Sequence, residues 1–255
     1  MSRLVKKVAV VTGAASGLGK EVSHQFVEQG IDRVYLCDLN IEACEAISRE
    51  LGDRATPVLL DVTVERDWEV CLARVIEEAG QLDVLVNSAG ILGFNSIEEE
   101  TLENWNRIQS VNATGVFLGC KHGVRTMKEH SRAGSIINLA SAASLDPASG
   151  ALAYAASKFT VRGITIATAK HCGEKNYPIR CNSIHPGVVD TPMMHAALAE
   201  GQSVDDMLQS FADGTLVGRT AKVQEIAQSI IYFASDESSF VTGSPFVIDG
   251  GYSVM

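Results

Sequence analysis

Short apolar runs recur along the chain, each followed by a stretch in which apolar positions return every three or four residues. The runs predict strands near 7–12, 33–37, 55–60, 82–86, 135–140, 179–184 and 244–248. The helical spacing predicts helices near 17–29, 40–51, 64–79, 101–129, 151–173 and 222–234. Regular strand-then-helix alternation implies an α/β fold: a single doubly wound parallel sheet of about seven strands with helices on both faces. No linker, repeat or low-complexity tract interrupts it, so residues 1–255 are expected to form one domain. The segment near 189–216 is long, poorly periodic and set between a strand end and a helix, which suits a substrate lid.

The first strand, Lys7 to Thr12, runs into Gly13-Ala-Ala-Ser-Gly17-Leu-Gly19 and then into a helix striped by Val22, Phe26 and Val27 and ended at Gly30. Glycines let the backbone turn tightly and approach a pyrophosphate, which the positive end of the helix dipole favours. The alternative is an ordinary tight turn. The second strand ends at Asp38, 19 residues after Gly19. A carboxylate there accepts hydrogen bonds from both ribose hydroxyls and repels a 2′-phosphate. No Arg or Lys lies between Gly13 and Gly19, or between Asp38 and Arg49, so NAD is favoured over NADP. Asp38 could instead cap the helix starting near Asn40.

Tyr154 and Lys158 stand four residues apart in an alanine-rich helix start. Four helical residues advance about 400° and roughly 6 Å, so phenol and ammonium share a face. The cation favours phenolate, and a phenol brought near neutral pH can exchange protons. Two residues of a solvated helix are the alternative. Ser141 closes the strand Ser135 to Ala140, its hydroxyl free to donate to a developing oxyanion; a turn serine is the bland reading, and Ser144 the lesser candidate. Asn112, a poor helix former inside a helical pattern, suits a packing or water-binding task, or a surface position. Asp61 and Val62 could meet an adenine, and Asn87 to Gly90 bring backbone near its ribose.

Composition narrows the classes. With 255 residues, 46% hydrophobic and 20% charged, the chain can bury an ample core. A net charge of -10 leaves no basic stripe for nucleic acid. Cys37, Cys44, Cys71, Cys120, Cys172 and Cys181 show neither Cys-x-x-Cys nor His/Cys ligand spacing, which predicts a reduced cytoplasmic protein with no metal. No signal-peptide pattern and no apolar run of about 18 residues is found, so no membrane association is expected. Without a Gly-x-Ser-x-Gly elbow or metal-like histidine spacing, no hydrolase is indicated.

Thr12-Gly-Ala-Ala-Ser-Gly-Leu-Gly19, Asp38, Asp61-Val62, Asn87-Ser-Ala-Gly90, Asn112, Ser141, Tyr154 with Lys158, Pro186-Gly187 and Thr191, in this order and spacing, resemble the short-chain dehydrogenase/reductase family over essentially the whole chain. Ile184 to Met194 and Ala234 to Ser239 are similar to bacterial hydroxysteroid and cyclic-alcohol dehydrogenases within it. Ser88 departs from the family's second asparagine. The resemblance implies a Rossmann-type fold, a homotetramer and a catalytic set: Tyr154 as acid/base, Lys158 lowering its pKa and bonding the nicotinamide ribose, Ser141 holding the substrate oxygen, and Asn112 supporting a water relay. It also implies cofactor contacts from Gly13, Ser16, Gly17, Leu18 and Gly19, from Asp38, Leu39, Asp61 and Val62, and from Asn87, Ala89 and Gly90. Tyr154, Lys158, Pro186, Gly187, Val189, Thr191 and Met193 would complete that site. His185, beside the nicotinamide region, reads as structural or backbone-bonded.

The expected activity is NAD-dependent interconversion of a secondary alcohol and its ketone. Ile91, Leu92 and Phe94, Ala142, Ala143 and Leu145, and Met193, Met194, Leu198, Met207, Leu208 and Phe211 of the lid region would favour a bulky apolar, cyclic or steroid-like substrate. An NADP-dependent ketone or acyl-thioester reductase and a non-catalytic NAD-sensing regulator are the alternatives.

Overall fold

Strand side chains alternate between faces, and here both faces are buried. Val8 and Val10 join one apolar core while Ala9 and Val11 join another. The computed structural model describes residues 2–196 and 203–254. Its strands are β1 (Val8–Thr12), β2 (Arg33–Asp38), β3 (Ala55–Leu59), β4 (Val84–Asn87), β5 (Gly134–Leu139), β6 (Ile179–Pro186) and β7 (Pro245–Ile248). They form one sheet of order β3-β2-β1-β4-β5-β6-β7, parallel throughout.

The helices are α1 (Gly17–Glu28), α2 (Ile41–Leu51), α3 (Glu65–Ala79), α4 (Leu102–Gln109), α5 (Gly115–His130), α6 (Leu152–Glu174), α7 (Pro192–His195), α8 (Val204–Ala212) and α9 (Val223–Ala234). Trp68 of α3, Val116 of α5 and Val161 of α6 share the core of Val8 and Val10. Phe26 of α1, Ile47 of α2 and Ile230 of α9 share the other. The sheet is therefore doubly wound, and side chains such as Trp68 and Phe26, both fully buried, each contribute about 1.5–3 kcal/mol of transfer free energy. Strand order reverses between β1 and β4, which opens a crevice at the carboxyl ends of those strands.

Two expectations differ from the structure. The helix expected over 101–129 is split by a π-helical turn, Ser110–Thr114, between α4 and α5. That turn carries Asn112, whose amide is drawn onto the loop after β4, while Gly119 lets α5 press on the sheet; a Cβ there would collide with the Asn87 amide. The segment 189–216 is not one irregular loop, because α7 and α8 lie in it and the Ser203 hydroxyl caps α8 by accepting from Asp206 N–H. Residues 197–202, with the expected lid contact Leu198, lie outside the described residues. No helix among the described residues is long and apolar enough to cross a membrane.

Candidate active site

A cleft of about 500 Å³ occupies the crevice. Its floor begins at β1, where Gly13 (φ 68°) turns the chain onto the end of β4 so closely that a Cβ would stand 2.9 Å from the Ala89 backbone. The Thr12 hydroxyl fixes this contact by accepting from the N–H groups of Ser88 and Ala89, both at 3.1 Å. α1 then starts at Gly17. Its N-cap, Ser16, makes no side-chain cap bond and its first turn holds no acidic residue, whereas Asn40, Thr101 and Ser203 cap their helices. The first amides of α1 thus keep their hydrogen-bonding capacity and positive potential where Ser16, Gly17, Leu18 and Gly19 line the cleft, a fit for a pyrophosphate.

At the end of β2, Asp38 accepts from Ala15 N–H (3.2 Å) and Asn40 N–H (3.0 Å). Asn40 itself caps α2, accepting from Ala43 N–H, so Asp38 is not the cap. Leu39, Asp61 and Val62 complete this wall; one Asp61 oxygen is engaged by the N–H and hydroxyl of Thr63, at 2.8 and 2.7 Å. Ala89 and Gly90 line the cleft, but Asn87 does not. Its side chain has the facing of Leu85, under the sheet, and donates to Asn138 Oδ1 at 2.7 Å; Asn138 continues to the Thr165 hydroxyl. This buried amide chain, with the Thr12 hydroxyl, ties β4 to its neighbours where Ser88 stands in place of the family's second asparagine.

Ser141, Tyr154 and Lys158 meet on the opposite wall. Ser141 Oγ accepts from Ala143 N–H at 3.1 Å, which leaves its proton free to donate to another acceptor. Lys158 Nζ lies 5.5 Å from the centre of the Tyr154 ring and donates to the Leu139 carbonyl at 2.8 Å. Burial pushes Lys158 down to about 8. The phenol departs from expectation: burial holds Tyr154 above its ordinary value, with only the Ser141 hydroxyl acting to lower it. Desolvation penalises phenolate, and the ammonium is spent partly on Leu139, so proximity alone does not produce the low pKa.

Asn112 is fully buried, which removes the surface reading. Its Oδ1 accepts from Ile91 N–H (2.8 Å), and its Nδ2 donates to the Ile91 carbonyl (2.9 Å) and the Ser157 hydroxyl (3.1 Å). With both amide protons engaged, the side chain holds the walls in place. His185 is structural, as expected, buried between Ser144 and Ser183 and pushed down to about 4 by burial.

Pro186, Gly187, Val189, Thr191 and Met193 line the far side of the cleft. So do Ile91, Leu92, Phe94, Ala142, Ala143, Met194 and Phe211, whereas Leu145, Met207 and Leu208 do not; Met207 is on the buried face of α8. Sequence reasoning missed Asp146, Ala148, Val188 and Tyr252. The glycine pair Gly250-Gly251, which follows β7 after Asp249 and has positive φ at both positions, is the signal that the chain turns back and could bring Tyr252 to the site. His122, read as lacking metal-like spacing, meets Glu65 and Glu69 across the fold, where Glu65 pairs with Lys121 at 2.5 Å and His122 at 3.0 Å.

The family model described as Enoyl-(Acyl carrier protein) reductase matches residues 13–253. The chain is 43% identical over 249 residues to the 3-alpha-(or 20-beta)-hydroxysteroid dehydrogenase of Mycobacterium tuberculosis, covering 98% of this chain and 90% of the relative. It is 40% identical over 256 residues to the cyclopentanol dehydrogenase of Comamonas testosteroni, covering 99% of each. It is 36% identical over 255 residues to the NADP-dependent (R)-specific alcohol dehydrogenase of Lentilactobacillus kefiri, covering 98% of each. With the site geometry and the sheet order, these similarities establish that the chain belongs to the short-chain dehydrogenase/reductase family, whose members are oxidoreductases.

Proposed function

We propose that this protein is an NAD-dependent dehydrogenase interconverting a bulky apolar secondary alcohol, cyclic or steroid-like, with its ketone. The observation that carries this reading is the meeting of Ser141, Tyr154 and Lys158 at an apolar wall of a cleft that also contains Asp38 and the open start of α1. A bound nicotinamide supplies the acceptor for the carbinol hydrogen and its electron pair. Ser141 orients the substrate oxygen by donating its hydroxyl proton to it. Tyr154 takes the alcohol proton during oxidation and returns it during reduction. Lys158 holds its ammonium beside the Tyr154 ring, where it would bond the nicotinamide ribose, and Asn112 keeps Ile91 and Ser157 in place.

Asp38 supports NAD, since its carboxylate would lie against a 2′-phosphate and Lys158, at the other end, is the one cation among the described lining residues. The NADP-dependent relative supports the alternative cofactor on this fold. The hydroxysteroid and cyclopentanol relatives support the substrate class, as do Leu92, Phe94, Met193, Met194 and Phe211. Apolar contact gives about 25 cal/mol per Å², while a polar group buried there without a partner costs about 1–3 kcal/mol.

In this reading residues 1–255 form one catalytic domain with a lid near 189–216, from which Met193, Met194 and Phe211 reach the substrate. The exposed apolar residues Phe117 and Phe159, on α5 and α6, and Phe246 and Val247, on β7, suit subunit contacts of a homotetramer. Six free cysteines, all buried, suit the cytoplasm. Comparison of kcat/KM for cyclohexanol, a hydroxysteroid, a sugar alcohol and a 3-hydroxy acid, followed by reduced-nicotinamide absorbance, tests the proposal. The apolar rings should be preferred; preference for either polar compound would contradict the substrate class, and absence of turnover on all four would contradict the activity.

A further inference from the structure

We infer that His185 is a positioning residue for the catalytic serine: it ties the Ser141–Ser144 turn to the end of β6 and thereby sets the spacing between the Ser141 hydroxyl and the Pro186–Gly187 wall. The inference rests on the alcohol–ketone reading of the site. His185 is itself fully buried and does not line the cleft, so it touches neither substrate nor cofactor there. It directly precedes Pro186 and Gly187, which do line it.

Counting protons fixes the ring's role. Ser144 Oγ donates its one proton to the Ser141 carbonyl, 2.6 Å away. The same oxygen lies 2.7 Å from His185 Nδ1 and must therefore accept from it. Nδ1 also stands 3.3 Å from the Ser141 carbonyl, which can only accept. Both contacts require the proton on Nδ1. Nε2 of the neutral ring is then free to accept from the Ser183 hydroxyl at 2.8 Å, and Ser183 is two residues earlier on the same strand.

Nδ1–H is shared between Ser144 Oγ, the nearer acceptor, and the Ser141 carbonyl, and the chain of contacts runs from β6 to the backbone of Ser141. Burial opposes protonation of the ring, as do the positive charges of Lys158 and Arg162 from α6, while the Ser141 carbonyl favours it; the net effect keeps the ring neutral at physiological pH. Ser141 is thus held at two points: its carbonyl from behind by Ser144 and His185, and its Oγ by Ala143 N–H. A shift of the turn by about 1 Å would misplace the hydroxyl relative to the reacting carbon, an error that costs on the order of a hundredfold in rate.

The test uses His185→Leu, which keeps much of the volume without the ring's hydrogen bonds, and His185→Asn, whose amide N–H stands in for Nδ1–H. Each is assayed for kcat and KM with cyclohexanol and NAD, for NAD Kd by fluorescence, and for thermal midpoint. We expect kcat of His185→Leu to fall about 10- to 100-fold with NAD Kd unchanged, and His185→Asn to recover most of the loss. Wild-type kcat in a folded His185→Leu protein would overturn the inference, as would equal losses in both variants or a parallel loss of NAD affinity. If His185→Leu does not fold, Ser144→Ala removes the bridging hydroxyl instead; an unchanged kcat there would overturn the inference equally. Wild-type turnover separates the two levels. An inactive wild type removes the functional reading and the inference together, while an active one with indifferent variants removes the inference alone.

Discussion

Lys158 Nζ stands 5.5 Å from the centre of the Tyr154 ring, yet its hydrogen bond goes to the Leu139 carbonyl, 2.8 Å away at the end of β5. The lysine thereby joins α6 to the sheet and presents its charge to the phenol without a direct bond. Lys158→Met preserves length and removes the charge. We expect kcat to fall at least about 100-fold, within the range for disabling acid–base catalysis, and NAD affinity to weaken as well, as steady-state rates beside NAD titration would read. An unchanged rate would remove the ammonium from the mechanism.

Asp38→Ala should raise the ratio of NADP to NAD use by at least about tenfold, because a like-charge juxtaposition is relieved while the contact to the ribose hydroxyls is lost. Cofactor titrations of both proteins provide the check. Tighter binding of NADP by the unaltered protein would overturn the NAD assignment.

Asp146 is the charged side chain of the turn after Ser141, exposed at the cleft wall, and makes no ion pair among the described residues. The unaltered protein should therefore discriminate against 3-hydroxybutyrate relative to 2-butanol, and Asp146→Asn should narrow that ratio by a few-fold, more at low salt than at high. An unchanged kcat/KM ratio at low ionic strength would show that this carboxylate does not shape selectivity.

His185 makes a separate prediction for stability. Its folded pKa, about 4, lies below the ordinary histidine value of 6.5, so the unfolded chain takes up a proton first as pH falls. Its contribution is present above pH 6.5 and is lost toward pH 4, amounting to about 3 kcal/mol at most. Urea unfolding from pH 7 to 4 should show a shallower loss for His185→Asn than for the wild type; parallel curves would contradict the pKa shift.

Much of this architecture was legible because both faces of the sheet are covered. Val8 to Val11 and Val84 to Val86 read as apolar runs with no polar face, and glycines mark the turn at Gly13 where backbone meets backbone. Helical spacing made Tyr154 and Lys158 legible as a pair on one face, and the other motifs in order marked that pair as a candidate site. The π turn at Asn112 was not, since it answers to a hydrogen bond with Ile91 from a different part of the chain. Asn87 was misplaced for a similar reason: strand parity groups it with Leu85 but does not reveal which face meets the cleft. The direction of the Tyr154 pKa depends on burial, which spacing does not report. Asp146 and Tyr252 reach the site through turns set by tertiary contacts, including the bond from Val217 N–H to the Gly250 carbonyl.

The most direct test of the central claim is the oxidation of cyclohexanol by NAD, measured as kcat for the wild type and Tyr154→Phe beside the NAD Kd of each. The account predicts wild-type turnover, a loss of at least about 100-fold in Tyr154→Phe, and nearly equal NAD affinities, because only the proton-carrying oxygen has gone. A Tyr154→Phe protein that turns over at a near-normal rate would contradict it.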